Sequence, residues 1–311
     1  MAMLSAVKCM DIDGLARALG DKVRQDEPLA NHTTFRIGGP ADLFVSVGSL
    51  DELCKTITLA RRYGVPYLIL GQGANVLVSD RGVRGIVIKN NCDYFSVEED
   101  DGGVLLYAES GALIRDVARA MVSQGVAGLE WAVDVPGTVG GAIVGNAGAY
   151  NSYVSDSLDS VFVLLPEGEQ RWLDVTELGL GYRTSRLKER RDGTVVLAAR
   201  FHLRHGDCQV LSEKAAGYTR RRQENQPTEP SAGSVFKRTE QYPAGFLIET
   251  AGLKGYRVGD AMVSPVHANF IVNIGRATAA QVWELIGLVR DTVREKFGIT
   301  LELEIELVGE W

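Results

Sequence analysis

A mixed helix-and-sheet fold, with an α/β region in its N-terminal part, is predicted by three features. A strand-like run "LFVSV" (43–47), a helical stretch and a second run "YLIL" (67–70) succeed one another, which is the order of a βαβ unit and not of a helical bundle. Farther on, "GALIRDVARAMVSQG" places apolar residues at 113, 114, 117, 118, 121 and 122, a helical spacing, and strand-like "SVFVLL" and "TVVLAARFHL" follow it. The chain closes on "LELEIEL" (301–307), which alternates as a strand does, with Glu302, Glu304 and Glu306 on one face about 7 Å apart.

The 311 residues suffice for two or three domains, and 45% hydrophobic with 23% charged residues is the balance of an ordinary globular chain. A net charge of −7 argues against nucleic acid or an anionic membrane as partner, since either needs an excess of Lys and Arg on one face. The cysteines Cys9, Cys54, Cys92 and Cys208 show no CxxC spacing, so neither a disulfide framework nor a zinc site is indicated. The opening stretch lacks the apolar core of a signal peptide and no apolar run is long enough to span a bilayer. A cytoplasmic protein is expected.

In order, a short N-terminal helix precedes the strand at 43–47, and Ser49 with Glu52 forms a capping box for a helix carrying Leu53, Ile57 and Ala60 and ending near Gly64. After "YLIL" come the glycine loop "GQGANVLVSD" and the strand "GIVIK". The helix from Gly111 stops at Gly125 and leads into the most glycine-dense stretch, "VPGTVGGAIVGNAGAY" (135–150). Polar residues, two prolines and a basic run at 205–233 place a domain boundary near 206. Beyond it, strands are expected around 234–237 and 270–274. A helix follows, capped by Thr278 and Gln281, striped by Val282, Leu285, Val289 and Val293, and stopped at Gly298.

Glycines in "GQGAN" (71–75) let backbone N–H groups approach an anion, although an ordinary tight turn explains them equally well; neither GxGxxG nor a Walker lysine is present. "PGTVGGAIVGNAGAY" holds five glycines, at a cost to packing and chain entropy, and suits a backbone lying against a flat or phosphorylated ligand, with Thr138 and Asn146 adding side-chain hydrogen bonds. "RRR" (220–222) matches a pyrophosphate, yet charge runs are usually solvated faces. Histidines 32, 202, 205 and 267 form no metal-binding pattern, so no metal is expected. On spacing alone, Ser234 of "AGSVFK" reads as a turn residue and Arg183 of "LGYRTS" as a surface arginine.

Seven segments in order resemble the UDP-N-acetylenolpyruvoylglucosamine reductase (UDP-N-acetylmuramate dehydrogenase) family: "NHTTFRIGGPADLF", "LGQGANVLVSD", "GLEWAVDVPGTVGGAIVGNAGAY", "LGYRTS", "AGSVFK", "AGLKGYRVGDAMVSPVHANFIVN" and "KFGITLELEIELVG". The short spacing between "GSVF" and "AGFLIE" is similar to its type II subclass. The resemblance implies an α+β fold in which a two-subdomain FAD-binding region of vanillyl-alcohol-oxidase (PCMH) type, residues 1–92 and 93–206, precedes a C-terminal α/β substrate-binding domain, 207–311. The strand 301–308 would return toward the flavin. It places FAD against Gly71, Gly73, Ala74 and Asn75 and against Thr138, Gly140, Gly141, Asn146 and Gly148. Its catalytic positions map onto Arg183, Ser234 and Glu304, and substrate contacts onto Tyr182, Arg221, Arg222, Lys237 and His267.

The chain departs from the family pattern at Asp134 (for the first glycine of "GIPG") and Ala74 (for serine), which leave flavin binding in place, and at Asn225 (for the lysine of "KQP") and Arg238 (for the longer type's asparagine), from which diphosphate anchoring is expected to pass to Arg221 or Arg222. The implied reaction has NADPH reduce the flavin, and hydride then add to the enolpyruvyl double bond of a UDP-sugar. Arg183 would stabilise the charge beside the substrate carboxylate, Ser234 would give the proton, and Glu304 would act as a protonated donor, with Glu302 and Glu306 as inert controls. A monomer acting on small molecules is expected. The rivals are an oxidase of the same flavin fold and a flavin- or nucleotide-binding module without catalysis.

Overall fold

The computed structural model describes residues 10–100 and 102–311; Cys9 and the first nine residues of the opening stretch lie outside them. The strand–helix–strand order builds the first sheet, in the order Arg24–Pro28, Pro40–Val47, Val83–Asn90, Tyr67–Leu70. Pro40–Val47 and Tyr67–Leu70 both run parallel to Val83–Asn90, and Arg24–Pro28 is antiparallel to its neighbour. Helix Leu50–Tyr63 makes the crossover: the Ser49 hydroxyl accepts the Glu52 N–H, and Gly64 ends the helix in the left-handed region. The returning Glu52 carboxylate accepts from the N–H of Gly48, not of Ser49, so the expected capping box closes one residue early. Leu53, Ile57 and Ala60 share a core with Leu43, Val45, Ile86 and Ile88.

The second sheet is antiparallel throughout, in the order Gln170–Asp174, Leu158–Leu164, Val195–His205, Gly103–Glu109, Phe95–Asp100. The molecule is therefore α+β, and the parallel crossover is confined to the first sheet. Helix Ile114–Ser123 buries Ile114, Val117, Ala118, Met121 and Val122 in a core shared with Leu106, Phe201 and Leu203. The third sheet orders Ser231–Ser234, Phe270–Asn273, Ala261–Val263 and Arg257–Val258, all antiparallel. Helix Ala279–Phe297 packs on it with the predicted capping box, buried stripe and left-handed Gly298.

Position 206 falls between strand Val195–His205 and helix Cys208–Asn225. That helix sends Leu211 and Ala215 into the second sheet's core, and the third sheet begins only at Ser231. No helix among the described residues is long and apolar enough to cross a membrane.

The continuous strand expected over 301–307 does not form. Only Glu306–Val308 pairs as a strand, parallel to Val76–Val78 behind the first glycine loop. Upstream, Leu303 bridges Phe236, the Lys237 N–H donates to the Glu302 carbonyl (2.9 Å) and the Glu304 N–H to the Val235 carbonyl (2.8 Å). The tail thus changes partner within two residues, anchored on either side of Glu304 by Leu301 and Ile305 in the C-terminal core.

Candidate active site

Arg183 lies in a tight turn closed by hydrogen bonds between Gly181 and Thr184, and its φ of 56° is a left-handed conformation that costs a non-glycine residue on the order of 1–3 kcal/mol. Neighbouring loops hold the turn: Asn146 Nδ2 donates to the Gly181 carbonyl (3.0 Å) and the Ser185 hydroxyl to the Val144 carbonyl (2.7 Å). The guanidinium donates from Nε to Glu304 Oε1 (2.5 Å) and from Nη2 to the Gly148 carbonyl (2.8 Å), while the buried Nη1 has no partner. Such an orphan is rare and points to a missing acceptor.

Ser234 ends strand Ser231–Ser234 opposite Phe270 and follows left-handed Gly233, where a Cβ would meet no group within 4 Å. The next carbonyl, of Val235, accepts the Glu304 N–H. Asn75 secures the tail from the other side, its Nδ2 donating to the Glu304 carbonyl (3.1 Å) and its own carbonyl accepting from the Glu306 N–H (2.9 Å). Arg183 and Glu304 thereby meet through their side chains, and the backbone beside Ser234 is tied to Glu304, from three segments distant in sequence.

The three glutamates are not equivalent. Glu302 is 75% exposed and reaches only Lys237 (3.3 Å); Glu304 pairs with Arg183; Glu306 lies between Lys188 (2.8 Å) and Arg191 (2.9 Å). Glu306, expected to be an inert control, therefore faces two cations. The structure also pairs Glu304 with the Arg183 guanidinium, where a donor to the substrate was expected.

The two glycine stretches form one wall. Gln72 Oε1 accepts the Gly137 N–H (2.6 Å), and a Cβ on Gly71 would stand 2.4 Å from Thr138 Oγ1. Several of these glycines answer to the protein's own packing: a Cβ on Gly73 would strike the His32 carbonyl (2.5 Å), on Gly140 the Ser110 Cβ (2.8 Å) and on Gly148 the Ser152 carbonyl (2.4 Å). Thr138 and Asn146 were expected to reach toward a ligand, but both side chains are engaged internally. Thr138 caps helix Val139–Val144 by accepting the Gly141 N–H, and Asn146 also accepts the Ser155 N–H. Open surface remains at Gly137, where a Cβ would meet nothing within 4 Å, and at Gly141, where the nearest neighbour of a Cβ would be Thr138 Oγ1 at 3.6 Å. Ala74 is half-buried and Asn75 exposed. A backbone wall with open glycines, ending at Gly148 beside the orphaned Arg183 Nη1, fits a flat dinucleotide.

Lys89, Gln72 and Lys188 escaped the sequence reading. Lys89 Nζ donates to the Gly71 carbonyl (2.5 Å), and burial pushes its pKa below the ordinary lysine range. Gln72 lies inside "GQGAN" without being singled out there, and no motif spacing marks Lys89 or Lys188.

Around the site, the Tyr182 ring lies 5.5 Å from the Arg183 guanidinium and its hydroxyl accepts the Arg238 N–H (3.3 Å). Arg221 sits over Tyr150, which stacks on Tyr218 at 4.3 Å. Burial lowers the pKa of half-buried Arg222, against the raising effect of Tyr150 and Asp134. Asp134 accepts from Arg119 (2.5 Å) and from the Thr219 hydroxyl, so it pins the helix that carries the arginines. The Asn225 side chain folds back onto the Arg221 carbonyl (2.7 Å). No group of three or more His, Cys, Asp or Glu among the described residues is arranged to hold a metal.

His267 packs edge-on to Phe270, and its Nδ1 accepts the Asn269 N–H (3.2 Å), which requires that nitrogen unprotonated. Asn269 in turn bonds both the N–H and the carbonyl of Phe236, two residues beyond Ser234. Burial lowers the His267 pKa from 6.5. The unfolded chain then binds more protons below pH 6.5, so the stability this histidine contributes above that pH is lost on acidification. The thermal midpoint is expected to fall between pH 7.5 and 5, and to fall less steeply in His267→Gln, which does not titrate; equal slopes would remove His267 as a source.

Residues 225–308 match the family model for the UDP-N-acetylenolpyruvoylglucosamine reductase C-terminal domain, and residues 41–174 that for an FAD binding domain. UDP-N-acetylenolpyruvoylglucosamine reductase of Alkaliphilus oremlandii is 44% identical over 291 residues, covering 93% of this chain and 94% of the relative. The Geobacillus kaustophilus reductase is 45% identical over 289 residues, covering 93% of each. The crystal structure of the Thermus caldophilus reductase superposes with a TM-score of 0.76 at 35% identity, covering 92% of this chain and 99% of that one. The chain belongs to the UDP-N-acetylenolpyruvoylglucosamine reductase family.

Proposed function

We propose that this chain is an FAD oxidoreductase that takes its electrons from NADPH and reduces the enolpyruvyl group of UDP-N-acetylglucosamine enolpyruvate to give UDP-N-acetylmuramate for peptidoglycan synthesis. The observation that carries this reading is the Arg183–Glu304 pair, tied by backbone to Val235 beside Ser234, with one Arg183 donor left over. The flavin, when bound, supplies the hydride that adds to the terminal methylene carbon. The electron pair of the double bond then moves onto the carbon beside the substrate carboxylate, as an enolate. Arg183 Nη1 is free to bind that carboxylate, and a preorganised donor of this kind is worth about 3–4 kcal/mol of barrier. Glu304 holds the guanidinium from its Nε edge and balances its charge. The Ser234 hydroxyl gives its proton to the enolate carbon, and its oxygen recovers a proton from water.

The open wall at Gly137 and Gly141, with Gly71, Gly73, Ala74, Asn75, Thr138, Gly140, Asn146 and Gly148 framing it, would hold the flavin. Tyr182, Arg221, Arg222, Lys237 and His267 ring the substrate, Arg222 taking the diphosphate. The flavin region comprises 1–92 and 93–206 and the substrate domain 207–311, with helix Cys208–Asn225 as the element shared between them. The enzyme works as a cytoplasmic monomer, where nucleotide sugars and NADPH are available.

A flavin-binding module without catalysis has no need of that pair and its spare donor, and an oxidase of this fold would turn over oxygen with an alcohol. Purified protein is expected to be yellow, to bleach with NADPH in the absence of oxygen, and to regain its colour when the enolpyruvyl UDP-sugar is added. Colour that stays bleached after that addition overturns the proposal.

A further inference from the structure

We infer that Lys188 is a positioning residue for Arg183, its ammonium locking the left-handed turn that carries the guanidinium to the C-terminal tail that carries Glu304. Lys188 Nζ lies 3.1 Å from the Arg183 carbonyl and 2.8 Å from Glu306 Oε1, and its side chain is only 19% exposed. Its backbone is equally constrained. Lys188 lies in the short helix Arg186–Arg190, where its N–H donates to the Ser185 hydroxyl (3.2 Å), and that hydroxyl donates in turn to the Val144 carbonyl. On the far side, Glu306 opens the strand paired with Val76–Val78, two residues beyond Glu304. One ammonium therefore spans the two segments whose side chains meet in the Arg183–Glu304 pair.

The need for such a lock follows from the backbone. A left-handed arginine persists only where its surroundings over-determine it, and the Lys188 ammonium donates to the carbonyl of that very residue. Loss of the lock lets the peptide relax toward an ordinary conformation and displaces the guanidinium, and a misplacement near 1 Å costs about 100-fold in rate. Arg191 isolates the effect. It is the second cation on Glu306, it is 71% exposed, and it makes no bond to the Arg183 turn. Removing Arg191 halves the charge compensation of Glu306 and leaves the Arg183 carbonyl its donor; removing Lys188 takes that donor away and leaves Glu306 paired.

The inference rests on the proposed role of Arg183, so Arg183→Met is measured alongside. In single-turnover experiments, Lys188→Met is expected to slow reoxidation of the flavin by the enolpyruvyl UDP-sugar about 10–100-fold, chiefly in kcat. Bleaching by NADPH, flavin content and thermal midpoint should stay close to those of the parent protein. Lys188→Arg, which keeps the donors, should recover to within about threefold, and Arg191→Met should be unchanged. The inference is overturned if Lys188→Met reoxidises normally, if it loses both half-reactions together with its thermal midpoint, if Lys188→Arg is as slow as Lys188→Met, or if Arg191→Met matches Lys188→Met. A normal Arg183→Met would instead overturn the role assigned to Arg183.

Discussion

Ser234→Ala is expected to keep NADPH-driven bleaching of the flavin and to lose recovery of the colour on addition of the enolpyruvyl UDP-sugar, with the second half-reaction slowed about 10²–10⁴-fold. The separation arises because only the second half-reaction needs a proton delivered to carbon. A serine hydroxyl is a weak acid in water, so it serves here only if it is held against the carbon that accepts the proton. The fold supplies that constraint. Ser234 closes a strand paired with Phe270, the following Val235 carbonyl is tied to the Glu304 N–H, and Gly233 leaves open space beside it. Alanine removes one oxygen and none of these backbone bonds, so a lost half-reaction reports on the hydroxyl and not on the scaffold. Stopped-flow reoxidation at the parent rate would show that the proton comes from elsewhere.

Much of the scaffold was legible because its signals are local. Ser49, Gly64, Thr278, Gln281 and Gly298 mark helix ends through bonds within a few residues, and helical periodicity identified the faces of Ile114–Ser123 and Ala279–Phe297. The glycine stretches were legible only in part. Their composition announces close approach, but not what approaches: Gly73 meets the His32 carbonyl and Gly140 meets Ser110, whereas Gly137 faces open space. Periodicity failed at "LELEIEL" because the partner changes at Ile305, from the segment around Phe236 to Val76–Val78, and such an exchange is a tertiary event with no trace in the alternation. Arg183 and Ser234, read alone, were a surface arginine and a turn serine, and their place in an ordered set of motifs singled them out. Lys188 belonged to no motif and emerges only from its two contacts.

Glu304→Gln is expected to slow reoxidation about 100-fold while leaving bleaching by NADPH intact, and the other two glutamates of the tail set the scale against which that number is read. Glutamine preserves the shape at position 304 and an oxygen for Arg183 Nε, but it removes the negative charge that holds and balances the guanidinium at 2.5 Å. The partly buried position of the pair, 22% and 15% exposed, spares it the solvent screening that makes surface pairs worth about 0–1 kcal/mol. Glu302 is such a surface pair, so Glu302→Gln should be silent in both half-reactions. Glu306→Gln should fall between, because it weakens the grip on Lys188 without touching Arg183 directly. The order Glu304, Glu306, Glu302 follows from which cation each carboxylate meets. Equal effects from all three would mean that the face acts through overall charge or strand stability, and the pairing of Arg183 with Glu304 would then carry no chemistry.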